Sequence, residues 1–393
     1  MKPNLAPERG FPTIEFEARL DRAQRLMRQQ QVDALWLTTE PEFRYFSGFL
    51  TQFWQSPTRP WFLIVPAEGK PIAVIPEIGA AAVATTLLDD IRTWPAPRPN
   101  DDGVSLLLAT LREVVGRNGR VAILMGPETH LRMPLADFEN VRGALIGNGV
   151  ELIDATPIVR QLRLVKSPAE IEKIAHICDL VSDAFAELPN LITSGEIEQE
   201  IFRKFKIEIL RRGADDVPYL VGGAGPNGYD DIISPPTSWA IQPDDILMLD
   251  TGAVFDGYFC DFDRNFAVGR PTDVTRRAYD VLYRATEAGL AAARAGVTAA
   301  DLFHAMWQEL KTWDVSGTNV GRMGHGLGMQ LTEWPSLTPT DQTVLQLGTV
   351  ITLEPGLEVV PGRMMVHEEN IVIRQDGADL LTRRAPQEMP VIG

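Results

Sequence analysis

Between Ile246 and Val268 the chain reads ILMLDTGAVFDGYFCDFDRNFAV, two apolar runs on either side of Asp256-Gly257. Asp-Gly suits a two-residue type I′ turn because both central positions need positive φ. The pair therefore predicts a β-hairpin of fixed register, with Phe255 opposite Tyr258, Gly252 opposite Asp261 and Asp250 opposite Asp263. Directly opposed side chains stand roughly 4.5–5.5 Å apart at Cβ and diagonal ones about 7–8 Å. Asp250, Asp261 and Asp263 then crowd one face, and Cys260 points to the other. A single acidic strand residue is ordinarily a solvated one. Here Leu247, Leu249, Phe259 and Phe262 suggest a buried strand pair, where unpaired carboxylates are costly. Like charges so close need a cation or a proton, and a cation is the simpler solution.

Three further residues extend this acidic set. The chain has only five histidines, and His325 sits in Gly324-His325-Gly326-Leu327-Gly328. Glycines on both sides let the backbone approach closely and leave the imidazole open to its surroundings. Glu354 ends the apolar run ITL before Pro-Gly, and Glu369 opens the run Ile371–Ile373. Two Asp, two Glu and one His form an oxygen-rich set suited to Mn, Fe, Co or Zn. Four carboxylates exceed the needs of one catalytic ion and suit two, about 3.5–4 Å apart.

Composition narrows the remaining possibilities. With 53 acidic against 37 basic residues the net charge is −16, which argues against nucleic acid or anionic membranes as partners. Cys178 and Cys260 form no CxxC pair, so a disulfide framework or thiolate zinc site is not expected. No apolar stretch approaches membrane length and the first 30 positions are highly charged, so a cytoplasmic protein is expected.

The first ~155 residues alternate helical and strand patterns: a helix over Ile14–Gln31, short buried strands at Ala34–Thr38, Trp61–Pro66, Pro71–Pro76 and Val121–Met125, and helices at 77–88, 104–116 and 133–144. A mixed sheet flanked by helices follows. A boundary near 156–166 precedes a helix announced by Ser167, Pro168 and Glu170, a capping box with Pro at N1. A second helix begins near Glu196 and ends at Arg211-Arg212-Gly213. Strand signals then dominate, with helices at 273–295 and 299–312. The predicted fold class is α+β, with domains at 1–158 and 159–393.

Asp250 and Asp261 eleven apart around Gly257-Tyr258, GHGLG at His325, Glu354 before Pro-Gly and Glu369 before Asn together resemble the M24 "pita-bread" family, which includes methionine aminopeptidase, Xaa-Pro aminopeptidase, prolidase and creatinase. The resemblance implies a creatinase-type N-terminal domain followed by a pita-bread catalytic domain, two divalent ions, and a homodimer. It makes Asp250 and Asp261 ligands with Asp261 bridging, assigns His325 and Glu354 to one ion, and makes Glu369 a second bridge. Glu368 is the rival for that last role; 369 is preferred because the family places Asn or Asp directly after its ligand. A glutamate matching Glu354 shuttles the proton while a hydroxide held by the ions attacks the scissile carbonyl.

Departures from the family are equally informative. Xaa-Pro peptidases have a His in the stretch matching Gly225–Pro235, where Ile232 or Ile233 stands here, and another seven residues after the ligand His, which here is Thr332. Losing one oxyanion donor typically costs about 10²–10³ in rate. His367, on the same strand face as Glu369, is a candidate catalytic replacement, and Asp263, Thr332 and Tyr258 are candidate substrate-binding residues. Tyr258, with Trp54, Trp61 and Trp334, invites a cationic ligand. The leading expectation is a two-metal hydrolase of an amide C–N bond, Xaa-Pro dipeptidase-like. The alternative is a non-peptidase enzyme of the same fold acting on a small, cationic solute. A binding protein that kept the fold and lost catalysis is a third reading, set against by the five retained ligand types.

Overall fold

The computed structural model describes residues 5–313 and 321–393. The chain divides into a unit spanning Glu8–Arg163 and a second whose continuous part is Leu164–Gly393. The division falls five residues beyond the expected 158/159 boundary because Thr156–Leu164 is a single helix, with Ile158 and Leu162 buried.

In the first unit the four expected strands form the middle of a six-stranded mixed sheet, ordered Asp90–Trp94, Ile72–Pro76, Phe62–Pro66, Ala34–Leu37, Arg120–Ile123 and Glu151–Asp154. Phe62–Pro66 runs antiparallel to both its neighbours, and the other pairs are parallel. Trp36, Phe62, Ile64, Val74, Leu111 and Val121 lie in its core. Both outer strands escape the sequence reading because they are half-polar edge segments. The helix Glu40–Ser47 escapes because it is only about two turns long and buried nearly all round, its charged Glu42 and Arg44 included. The expected 77–88 helix contracts to a short turn at Glu77–Gly79 and one at Ala80–Val83.

The second unit opens on the helix Pro168–Leu191, and its capping box forms: Glu170 N donates to Ser167 Oγ (3.3 Å), and Ser167 N donates to Glu170 Oε2 (2.7 Å). The next helix, Glu198–Arg212, closes on Gly213 at φ +116. Asp256 and Gly257 have φ +47 and +75, and the hairpin pairs Phe255 with Tyr258 and Asp250 with Asp263. This hairpin lies in a sheet ordered Val391–Ile392, Phe262–Val268, Asp245–Phe255, Asp216–Pro226, with Tyr258–Phe259 also on Asp245–Phe255. A second sheet runs Glu333–Ser336, His325–Gly326, Val350–Leu353, Glu369–Ile373, Ala378–Leu380. Helices Asp273–Ala292 and Ala299–Leu310 cover a core containing Met248, Leu282, Met306, Ile351 and Ile371. Among the described residues no helix is long and apolar enough to cross a membrane.

Candidate metal centre

The two larger sheets of the second unit deliver acidic side chains to one place. Asp250 sits in the middle of Asp245–Phe255, and Asp261 occupies the gap between Tyr258–Phe259 and Phe262–Val268. From the other sheet come His325, at the start of its strand, Glu354, just after Val350–Leu353, and Glu368, just before Glu369–Ile373. Ligand atoms of Asp261, His325 and Glu354 all lie within 4.8 Å of one another, and so do those of Asp250, Asp261 and Glu368. Asp261 belongs to both triads.

Local geometry explains how His325 arrives there. Its N–H donates to Thr352 Oγ1 (2.9 Å), and its Nδ1 lies 2.8 Å from the Gly326 carbonyl. An Nδ1–H pointed at a carbonyl leaves Nε2 as the ligating nitrogen. Nε2 is 3.0 Å from Glu354 Oε1 and 3.3 Å from Asp261 Oδ2. The flanking glycines are required by close approach: a Cβ on Gly324 would lie 2.2 Å from the Thr352 carbonyl, and one on Gly326 2.2 Å from that of Trp334. The Thr352 hydroxyl also donates to Glu354.

The electrostatics are those of buried carboxylates crowded around one imidazole. Burial, then Asp261 and Asp263, hold Asp250 well above the usual carboxylate range, and burial, then Asp250 and Glu354, do the same to Glu368. Burial pushes Asp261 up to about 6 against the opposing pull of His325. Burial disfavours the imidazolium of His325, but Glu354 and Asp261 outweigh it and hold the ring up at about 10. Glu354 is itself held low, because His325 and Thr352 overcome its burial. Asp250 Oδ1 is buried with no hydrogen-bond partner. Oxygen-rich donors, a bare buried carboxylate oxygen and an imidazole nitrogen aimed at the same point fit divalent cations.

Four sequence candidates stand elsewhere. Glu369 is the first correction: the carboxylate that joins Asp250 and Asp261 is Glu368. Glu369 Oε2 accepts from Arg264 Nη2 (3.0 Å), while Oε1 accepts from Arg384 Nη1 (3.0 Å) and Ala385 N (2.8 Å). Neighbouring strand residues point to opposite faces, so 368 faces the cluster and 369 faces the arginines.

His367 follows Glu369 to that other face, which removes it from the catalytic position expected of it. Its Nδ1 lies 3.0 Å from Thr286 Oγ1 and 3.4 Å from Arg384 Nη1, and the ring sits edge-on to Tyr279 and Tyr283. Burial, helped by Arg384 and Arg264, pushes its pKa down to about 3, so it is neutral and too weak a base for proton transfer near neutrality. Tyr258 is likewise corrected: it is buried and donates from its hydroxyl to Glu170 Oε1 (2.9 Å), bracing the capping box. Asp263 faces Asp250 across the ladder as the register requires, but it is buried, accepts from Asn265 Nδ2 (2.8 Å) and does not line the cavity.

That cavity, about 200 Å³, is bounded by the cluster and by Tyr219, Ile232, Ile233, Arg322, Leu331 and Thr332. Thr332 thus lines the cavity, and so do the apolar Ile232 and Ile233. Tyr219 and Arg322 are functional candidates the sequence reading missed. The Tyr219 phenol lies near Asp250, and burial, then the charge of that carboxylate, pushes its pKa up. Its strand, Asp216–Pro226, pairs Tyr219 with Gly252, on the Asp250 face; no tight turn joins the two strands, so no sequence signal sets that register. Arg322 reaches Thr332 Oγ1 at 3.5 Å and offsets charge on Asp261 and Glu354. Of the other aromatics, Trp54 and Trp61 belong to a cluster with Phe43 in the first unit, and Trp334 donates to Thr343 Oγ1 (3.0 Å).

Comparison with known proteins agrees with this architecture. Residues 172–375 match the family described as metallopeptidase family M24, and 19–165 match the creatinase/prolidase N-terminal domain. A protein named "Probable dipeptidase PepE" from Mycobacterium tuberculosis is 28% identical over 339 residues, 84% of this chain and 85% of that protein. An Xaa-Pro dipeptidase from Pyrococcus furiosus is 28% identical over 232 residues, 58% of this chain and 65% of the relative. The crystal structure of dipeptidase PepE from Mycobacterium ulcerans superposes with a TM-score of 0.85 at 27% identity, covering 97% of this chain and 99% of that one.

Proposed function

This chain belongs to metallopeptidase family M24, a metal-dependent peptidase by that membership, and on that footing we propose that it is a dinuclear enzyme that cleaves Xaa-Pro or related dipeptides. The observation that carries the proposal is the sharing of Asp261 between two ligand triads. One shared carboxylate between two sets of donors suits two ions rather than one. Asp261, His325 and Glu354 would hold one ion, Asp250, Asp261 and Glu368 the other. Dipeptidase and Xaa-Pro dipeptidase are the names carried by relatives aligned over much of the chain, and a cavity of about 200 Å³ suits a short substrate.

Divalent ions bound there would polarise the scissile carbonyl and make a nearby water more acidic. The chain's own groups then have distinct tasks. Glu354, ionised at neutral pH, accepts the proton given up by the attacking water and passes it to the departing amine. His325 keeps its orientation through Gly326 and needs no proton at Nε2. Tyr219, Arg322 and Thr332 line the cavity that the substrate would enter. Ile232, half-buried, and Ile233, exposed, give the cavity wall apolar rather than hydrogen-bonding side chains.

Those two isoleucines also favour a second reading. A wall without a hydrogen-bonding histidine suits a non-peptidase member of the fold acting on a small solute. Turnover of Xaa-Pro dipeptides by manganese-loaded protein, together with a metal-to-protein ratio near two by elemental analysis, is the expected result. No turnover of any Xaa-Pro or other dipeptide by protein carrying two ions would transfer support to the second reading, and a ratio of one would sink the dinuclear proposal.

A further inference from the structure

Asp261 is the residue both triads depend on, yet it lies in a break between strand segments, at 258–259 and 262–268. On one side Cys260 N still donates to the Ala253 carbonyl (3.0 Å). On the other side the Phe262–Val268 strand meets Val391–Ile392 only at Ala267 and Val268, so among the described residues no strand backbone pairs with Asp261 there. A buried backbone N–H and C=O without partners would be expensive there.

The side chain of Asn370 fills that place. Asp261 N donates to Asn370 Oδ1 (3.0 Å), and Asn370 Nδ2 donates to the Asp261 carbonyl. A carboxamide carries the same donor and acceptor pair as a peptide unit, and here it acts as a one-residue stand-in for the absent strand. The Asp261 N–H and carbonyl themselves fix which way the amide points, and the Cys178 thiol, which donates to Oδ1 (3.3 Å), adds a contact on its far side. Asn370 is fully buried. Its own backbone is anchored, with its N–H donating to Thr382 Oγ1 (3.3 Å) and its carbonyl accepting from Leu381 N (2.8 Å). It also stands two residues from Glu368 on the same stretch of chain.

We propose that Asn370 is a positioning residue for the metal centre: its amide locks the backbone of Asp261 and so fixes the carboxylate shared by the two triads relative to Glu368. The inference rests on the reading of Asp261 as a metal ligand. Removing partners that orient ligands typically costs about 10–100-fold in metal affinity. Asn370→Ala deletes both bonds. Asn370→Asp keeps the acceptor but sets an oxygen against the Asp261 carbonyl.

The test is Mn²⁺ binding to the chelator-stripped full-length chain at low temperature, measured by calorimetry, with circular dichroism to establish that each variant is folded. Asn370→Ala and Asn370→Asp are expected to weaken Mn²⁺ binding at least tenfold, while Cys178→Ala, which leaves the Asp261 pairing intact, stays within about threefold of the wild type. A merely structural asparagine would lower the melting temperature and leave the isotherm of the folded protein unchanged, and that result overturns the inference. So does a Cys178→Ala loss as large as that of Asn370→Ala, which would mean that packing alone is at issue. Asp261→Asn separates the two layers: if it binds Mn²⁺ like the wild type, the metal-site reading itself fails, whereas if it abolishes binding and both Asn370 variants bind normally, only the positioning role is lost. Should neither Asn370 variant fold, site-resolved hydrogen exchange on the stripped wild type decides. A slowly exchanging Asp261 amide supports the pairing, and a freely exchanging one refutes it.

Discussion

Glu368 and Glu369 are adjacent, chemically identical and both buried, yet they should answer oppositely to the same substitution. Glu368 faces three other carboxylates and is held protonation-prone by burial and by Asp250 and Glu354. Glu368→Gln removes a repelled charge, so metal-free protein is expected to keep or gain melting temperature while losing Mn²⁺ affinity and activity by about 10² or more. Glu369 is held low because Arg264, foremost, outweighs its burial. Glu369→Gln leaves buried Arg264 and part-buried Arg384 without their carboxylate, a loss of about 3–5 kcal/mol. At roughly 2–4 °C per kcal/mol for a unit of this size, the melting temperature should fall on the order of 10 °C. Thermal scans with and without metal check both arms, and equal behaviour of the two variants would refute the assignment of faces. His367, already neutral above pH ~3, makes a sharper negative expectation. His367→Gln should leave both limbs of the pH–kcat/KM profile where they are; a displaced limb would return His367 to the chemistry.

At the scale of elements, legibility followed turn chemistry. The hairpin around Asp256-Gly257 could be read residue for residue because two positive-φ positions admit one register, and the register alone put Asp250, Asp261 and Asp263 on one face. The capping box at Ser167 was legible for the same reason: its bonds are local. What stayed hidden was decided by remote partners. Glu368 and Glu369 were separable only through the pairing of Leu353 with Glu369 and through arginines at 264 and 384. Tyr258 looked like a site residue until its hydroxyl was found spent on Glu170, 88 positions away. The glycines around His325 were read as permitting close approach, and the distances make them testable. Gly324, at φ +133, is expected to reject alanine: Gly324→Ala drives a Cβ into the Thr352 carbonyl, displacing the very residue whose hydroxyl seats the His325 amide and Glu354. Loss of Mn²⁺ binding with a lowered melting temperature is expected, whereas Gly362→Ala, at positive φ in a turn with open space around it, should cost stability alone. Calorimetry on the two variants makes the comparison; wild-type Mn²⁺ binding by Gly324→Ala would show that the close approach does not set the site.

For the whole molecule the consequence is a coupling of fold, metal and pH. Asp250, Asp261 and Glu368 all have folded-state pKa values above the ordinary carboxylate range, Asp261 at about 6, and His325 is held at about 10. A raised carboxylate pKa means the metal-free fold prefers the protonated group, so this contribution to stability is complete below pH ~4 and is lost as pH rises through about 6 for Asp261. His325 has the same sign: its contribution is present below pH ~6.5 and is lost as pH climbs through about 10. Divalent ions need these groups without their protons, so binding must release protons and tighten as pH rises. Since a ligand that binds only the folded state stabilises it by RT ln(1 + [L]/Kd), the melting-temperature gap between Mn²⁺-loaded and chelator-stripped protein should widen from pH 5 to pH 8. Acid-labile pairs elsewhere in the chain affect both forms alike and cancel in the gap. Titrating Mn²⁺ into stripped protein in weak buffer at pH 6.5 should acidify the solution, and Asp261→Asn should reduce that acidification. A gap independent of pH, or binding without proton release, would mean that the five side chains do not hold the divalent ions on which their burial depends.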